Sequence, residues 1–197
     1  MERFQNTGQP DWGWWGRLWP TPGETLRRLG VESGESLVEV GSGNGYFALP
    51  AARITAPGTV YAIDLDESLL AELDALADRQ GIDNVETRCC DARTLTDGLP
   101  EAVDTVLLAN TFHGIAAPED FAAEVFEALA PEGRFLVVNW QDRPRTETTV
   151  LGEPRGPPTG LRVSPSETRA IVEDAAAFST VRRVELPPYH YALCFER

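Results

Sequence analysis

The stretch Leu37-Val38-Glu39-Val40-Gly41-Ser42-Gly43-Asn44-Gly45-Tyr46 decides how the rest of the chain is read. A short run with alternating valines leads into three alternating glycines, and a helix-like segment, residues 46–54, follows at once. The pattern is a strand, a tight turn and a helix N-terminus. Glycines permit that turn and let a ligand approach the main chain, while the first helical turn offers free N–H groups. A loop of this kind serves a nucleotide, and its neighbours decide which one.

Three neighbours separate the possibilities. The spacing is GxGxG, whereas the dinucleotide fingerprint is GxGxxG. Glu39 stands just before the turn, where a carboxylate repels a pyrophosphate and suits a cation. Asp64 ends the next strand, nineteen residues beyond Gly45, in place to accept hydrogen bonds from ribose hydroxyls. A third carboxylate, Asp91, closes the following strand in Cys90-Asp91-Ala92. Acidic strand ends in succession fit a ligand that carries a ribose but no phosphate. S-adenosylmethionine (SAM), with its sulfonium and ammonium charges, meets that description. The plainer alternative makes Asp64 and Asp91 solvated turn residues and Glu39 a loop cap.

Outward from the loop, short β-like runs alternate with amphipathic stretches. Strands are expected at 36–40, 59–63, 85–89, 103–109 and 134–140, with helices at 46–54, 67–80 and 119–129 between them. Gly81, Pro131 and Gly133 punctuate helix ends. This rhythm predicts an α/β fold, a mostly parallel open sheet with helices on both faces. Ser164-Pro165-Ser166-Glu167 reads as a capping box opening a helix that runs to about Phe178. Two last β-like runs, 180–186 and 189–195, flank Pro187-Pro188 and suit an antiparallel edge pair that would carry His190 in a surface or packing role.

At these residues the chain resembles the class I SAM-dependent methyltransferases. Glu39-Val40-Gly41-Ser42-Gly43-Asn44-Gly45 looks like their first motif, Ala62-Ile63-Asp64 like their second, and Cys90-Asp91-Ala92 like their adenine-contacting turn. Residues 104–110 match the fourth strand, and the resemblance spans most of 25–140, closest to the small-molecule, quinone-biosynthesis-like (type 11) branch. It implies a Rossmann-like sheet of seven strands ordered 3-2-1-4-5-7-6, only strand 7 antiparallel. It also implies cofactor contacts from Glu39, Gly41, Ser42, Gly43, Asn44, Gly45, Asp64, Leu65, Asp91, Ala92 and Asn110. Glu39 would hold the ammonium end, Asp64 the ribose diol, Leu65 the adenine face, and Asp91 with the Ala92 N–H the adenine edge.

Methyl transfer from a sulfonium mainly requires alignment of the acceptor and exclusion of water. Asn110-Thr111-Phe112-His113-Gly114 follows the fourth strand and should face that reaction. His113 is the candidate general base, because an imidazole titrates near neutral pH; its alternative is a binding role only. Phe4, Trp12, Trp14, Trp15 and Trp19 crowd the first twenty residues, so 1–22 is read as an arm clamped on the core, a lid, or both, ahead of one SAM-binding domain over 23–197. Trp14, Trp15, Trp19, Phe112 and Trp140 are the substrate-lid candidates. The proline-rich connection 141–163 carries Arg143, Arg145, Arg155 and Arg162, expected to form local ion pairs on an acid-rich surface, with closure over an anionic group as the alternative.

Composition bounds the rest. In 197 residues, 31 Asp and Glu against 17 basic residues, all of them Arg, give a net charge of −14. Such a chain repels phosphate backbones and anionic lipid, which argues against nucleic-acid and membrane partners. No membrane-length apolar run and no secretory leader are apparent, so a cytoplasmic protein is expected, and the acid excess without lysine suits a salt-rich cytoplasm. Cys89, Cys90 and Cys194 form neither a disulfide framework nor a CxxC metal pair, and Cys89 and Cys90 are expected to be buried. Arsenite is a poor acceptor for thiols so placed. The function expected is methyl transfer to a small-molecule acceptor. The alternatives are a non-catalytic SAM-binding sensor or partner subunit and an NAD-dependent oxidoreductase.

Overall fold

A computed structural model describes residues 3–197, so the first two positions of the arm lie outside the described residues. Seven strands form the central sheet: β1 (Leu37–Val40), β2 (Val60–Asp64), β3 (Val85–Cys89), β4 (Val103–Ala109), β5 (Leu129–Trp140), β6 (Ser179–Leu186) and β7 (His190–Glu196). Their order is β3-β2-β1-β4-β5-β7-β6. The first five run parallel, and β7 lies antiparallel to both β5 and β6. The expected order and the single reversed strand are both present.

Side-chain alternation sorts the sheet's two faces into two cores. Leu37, Ala62, Leu107, Leu136 and Val138 point to one, which is covered by α1 (Trp12–Leu18), α2 (Pro22–Arg28), α3 (Ala48–Thr55) and α4 (Glu67–Gln80). Val38, Ile63, Val106, Leu108 and Val137 point to the other, beneath α5 (Pro118–Ala128) and α6 (Pro165–Ala175). Truncating a fully buried residue such as Leu107 to Ala costs about 2–5 kcal/mol.

Local chemistry fixes several boundaries. The Asp66 carboxylate caps α4 by accepting from the Ser68 and Leu69 amides, and Gly81 ends that helix in the left-handed region at φ 63°. Ser164 and Glu167 close the expected capping box on α6. Helix α1 arises where the sequence suggested only an arm, and α2 opens the domain where no element was expected. Asp11 caps α1 through the Gly13 amide, and α1 buries Trp15 and Leu18 in the first core. Tertiary burial sustains a seven-residue helix that its two glycines disfavour.

Two expectations about cysteine and arginine need correction. Cys89 is exposed and Cys90 half-buried, because β3 is the outermost strand of the sheet. In the 141–163 connection, among the described residues, only Arg143 pairs with a carboxylate, Glu147, at 3.8 Å. Arg162 is buried and serves backbone instead, donating to the carbonyls of Pro157, Gln141 and Arg155 and to the Thr148 hydroxyl. Those bonds fold the connection around a two-residue ladder, Thr149–Val150 against Glu153–Pro154. His190 is fully buried among Trp15, Trp19 and Trp140, on the strand next to the edge, which leaves it the packing role.

Candidate active site

Where the strand order reverses, between β1 and β4, the helix after β1 packs on one face and the helix after β4 on the other. Open α/β sheets bind ligands in the crevice this leaves beyond the strands' carboxyl ends. A cavity of about 490 Å³ occupies that place, within the usual range for small-molecule sites. Its floor comes from the residues that end or follow the strands: Glu39 to Gly43, Ile63 to Leu65, Cys90 to Ala92, Ala109 to Thr111, and Trp140.

The glycine loop is held from below. The Gly41 and Ser42 amides donate to the Ile63 carbonyl at 2.8 and 3.0 Å, and the Gly43 amide donates to Asp64 Oδ2 at 2.9 Å. Asp64 Oδ1 also accepts from the Asp66 amide at 3.0 Å, so its carboxylate is fixed at the rim of β2. Gly43 has φ 53°, a left-handed conformation that favours glycine, and a Cβ there would displace the Gln9 side-chain amide, whose Oε1 stands 2.1 Å away. Gly45 has a different duty. A Cβ on it would meet Leu73 Cγ at 2.8 Å, and its absence lets α4 pack close.

Glu39 is 3% exposed, and one carboxyl oxygen, Oε2, has no hydrogen-bond partner. Burial first, and the neighbouring Asp64 charge second, push its pKa well above the ordinary value; a hydrogen bond from the Ala48 amide opposes them. A buried carboxyl without a partner is costly, and an entering cation relieves that cost. Asn110 adds a second sign of the same kind. It sits in the left-handed region at φ 59°, with both amide atoms of its side chain buried and unpartnered. The left-handed backbone and the unmet hydrogen bonds coincide at the end of β4, where Asn110 lines the cavity. Ser42 Oγ is a further buried, unpartnered atom in the lining.

Asp91 lines the cavity while capping the turn after β3. It accepts from the Arg93 amide at 3.0 Å and pairs with the Arg93 guanidinium at 2.7 Å. His113 is 8% exposed, and its Nε2 lies 3.4 Å from the Asn6 carbonyl. Only a ring proton on Nε2 satisfies that carbonyl, which leaves Nδ1 as the lone-pair nitrogen. Nδ1 has no closed hydrogen bond, although the Asn139 amide approaches the ring. Burial lowers the His113 pKa and thereby keeps the imidazole neutral near pH 7.

The chain from Arg3 to Asp11 passes over the opening. The Gln5 amide donates to the Gly114 carbonyl at 2.8 Å, Phe4 packs edge-on against Phe121, and Arg3 pairs with Asp66. At its far end Gln9 bonds Asn44, which also holds Trp12 and Glu72. Of the sequence-predicted residues, Glu39, Gly41, Ser42, Gly43, Asp64, Leu65, Asp91, Ala92, Asn110 and His113 line the cavity, as do Trp14, Trp15 and Trp140. Four do not. Asn44 is taken up by the arm and α4, Gly45 by helix packing, and Trp19 and Phe112 are buried in the two cores. Sequence reasoning missed the arm's polar residues Asn6 and Gln9, whose only signal was their position near the tryptophans.

A methyltransferase-domain family model matches residues 31–154 of this chain. The chain is 30% identical over 127 residues to a ubiquinone/menaquinone biosynthesis C-methyltransferase of Pseudomonas entomophila, covering 63% of this chain and 48% of that protein. It is also 30% identical over 128 residues to a probable cobalt-precorrin-6B C(15)-methyltransferase of Methanosarcina acetivorans, covering 64% of each. The chain thus spans about half to under two thirds of the length of these curated relatives. A SAM-dependent methyltransferase from Aquifex aeolicus superposes with TM-score 0.78 at 25% identity, covering 92% of both chains. The matched segment carries the glycine loop, the three acidic strand ends and His113 on the fold that the relatives share, and the chain belongs to the SAM-dependent methyltransferase family.

Proposed function

We propose that this protein transfers a methyl group from SAM to a small, flat acceptor in a salt-rich cytoplasm. The observation that carries this reading is the buried Glu39 carboxyl, unpartnered at the cavity floor beside the glycine loop. A cationic ammonium satisfies it, whereas the pyrophosphate of a dinucleotide would be repelled. Asp64 would receive the ribose hydroxyls, Leu65 would pack on the adenine, and Asp91 with the Ala92 N–H would read the ring edge. Asn110 would direct its free amide atoms at the cofactor from the opposite side. When bound, SAM supplies an electrophilic methyl carbon whose sulfur leaves as a neutral thioether, so no acid is required.

The chain's remaining work concerns the acceptor. His113, neutral and with Nδ1 free, takes the proton from a hydroxyl or similar group as that group attacks in line. Trp14, Trp15 and Trp140 furnish flat walls, and the segment 3–11 closes the opening and keeps water out. A roofed cavity of about 490 Å³ that must also hold the cofactor suits a small molecule better than a polypeptide or nucleic acid. Both relatives described above are named for small-molecule acceptors. No helix among the described residues is long and apolar enough to cross a membrane. Incubation with methyl-labelled SAM and a panel of phenols, quinols and aromatic acids tests the reading. Labelled acceptor with stoichiometric S-adenosylhomocysteine is expected. Tight SAM binding with no transfer to any acceptor, and no turnover with cell metabolites, would point instead to a sensor or partner subunit.

A further inference from the structure

The cavity has two electrical halves. Glu39, Asp64 and Asp91 make the strand-end wall acidic, whereas the wall built by the 141–163 connection contributes Arg145 and Arg155. In a chain of net charge −14, carboxylates are abundant, yet neither arginine has one within ion-pairing distance among the described residues. Arg155 is the more telling of the two. It is half-buried, its guanidinium carbon stands 5.1 Å above the Trp14 ring, and its Nε is buried without a hydrogen-bond partner.

The backbone around Arg155 is pinned. Its amide donates to the Thr148 carbonyl at 2.8 Å, and its carbonyl accepts from the Thr148 hydroxyl and from Arg162. Arg145 is braced by the carbonyls of Gly156 and Pro154 at 3.0 and 3.2 Å. Gly156 lies so close to Trp140 that a Cβ there would stand 2.7 Å from the indole, which seats this wall against the aromatic floor. Two oriented guanidinium groups, one with a buried donor to spare, are thus fixed beside flat apolar surfaces. A guanidinium so placed recognises a carboxylate with charge-assisted, paired hydrogen bonds.

We propose that the acceptor is an aromatic acid, its ring held against Trp14, Trp15 and Trp140 and its carboxylate received by Arg155 with Arg145 at the rim. This assignment rests on the methyltransferase reading and deepens it. It also assigns the acidic wall to the cationic cofactor and the basic wall to the anionic acceptor.

The test is calorimetric titration of the full chain, saturated with S-adenosylhomocysteine, using benzoate and naphthoate against their neutral amides, benzamide and naphthamide. The acids are expected to bind about tenfold tighter than the amides, as one charge-assisted hydrogen-bond pair implies. Arg155→Gln should erase that preference and leave S-adenosylhomocysteine affinity within about twofold, since only the acceptor wall changes. Equal affinity for acid and amide, a preference that survives in Arg155→Gln, or saturable cofactor binding with no acid binding would each overturn the aromatic-acid assignment alone. Failure of S-adenosylhomocysteine itself to bind the wild-type chain would remove the methyltransferase reading, and this assignment with it.

Discussion

Burial keeps a proton on Glu39 in the folded chain over a pH range in which the unfolded chain has already released it. The folded protein then binds more protons, so stability is full below the ordinary glutamate range and declines as pH rises through the raised folded value. A neutral isostere escapes that decline. Glu39→Gln should therefore melt higher than wild type at pH 8, by roughly 2–4 °C for each kcal/mol relieved, and about equally at pH 4. The same substitution should weaken SAM binding by tenfold or more, because a buried charged partner is lost. Stability and affinity moving in opposite directions is the expected signature; a lower melting temperature at pH 8 contradicts it. His113 gives a second residue-scale prediction. Its lowered pKa places the acid limb of the kcat profile below about pH 6.5. His113→Asn should abolish that limb and cut kcat about 10²-fold or more with SAM affinity unchanged. Unchanged turnover would reduce His113 to a binding residue. Glu39, Asp64 and Asp91 were legible in the sequence because a strand's end is a local pattern. The duties of Arg155, Arg162 and Asn139 were not, since distant carbonyls and rings decide them.

Local signals also decide which elements could be anticipated. The capping box at Ser164 and the helix at 67–80 follow from nearest-neighbour chemistry and a regular apolar stripe, and both are present. Ser164→Ala should cost about 1 kcal/mol of stability, seen as a lower melting temperature, without changing SAM affinity. A loss of affinity there would mean that α6 positions the site. Helices α1 and α2 escaped notice because glycine, proline and three tryptophans give them no helical polarity; packing against the first core holds them. The arm ahead of α1 offers its own test. A Cβ at Gly114 would stand 2.1 Å from the Gln5 carbonyl oxygen, at a backbone bond tying the arm to the loop after β4. Gly114→Ala should release the arm and speed cofactor dissociation severalfold in stopped-flow measurements, with the melt still cooperative. An unchanged dissociation rate would show that the arm clamps the core but does not gate the cavity.

For the whole molecule, alternation of strand and helix predicted a mostly parallel open sheet, while the order of the strands came from the resemblance to the methyltransferases; both are present. The charge is also a whole-molecule property. With 31 acidic residues against 17 arginines, self-repulsion opposes folding in dilute buffer, and molar KCl shortens the screening length to about 3 Å. The melting temperature should rise markedly between dilute buffer and molar KCl; a cooperative melt that does not move counts against the salt-rich setting. The polarity of the cavity, acidic at the strand ends and basic on the 141–163 connection, was only half visible beforehand. The arginines read first as surface ion-pair partners, with closure over an anionic group as the alternative, and the fold places two of them in the cavity that Glu39 lines. The most direct test of the central claim is calorimetric titration in molar KCl with SAM, S-adenosylhomocysteine and NAD in parallel. Micromolar binding of the first two and none of NAD is the predicted result. Binding of NAD alone would contradict the account, because a pyrophosphate would then sit beside the buried Glu39 carboxyl that is assigned here to an ammonium.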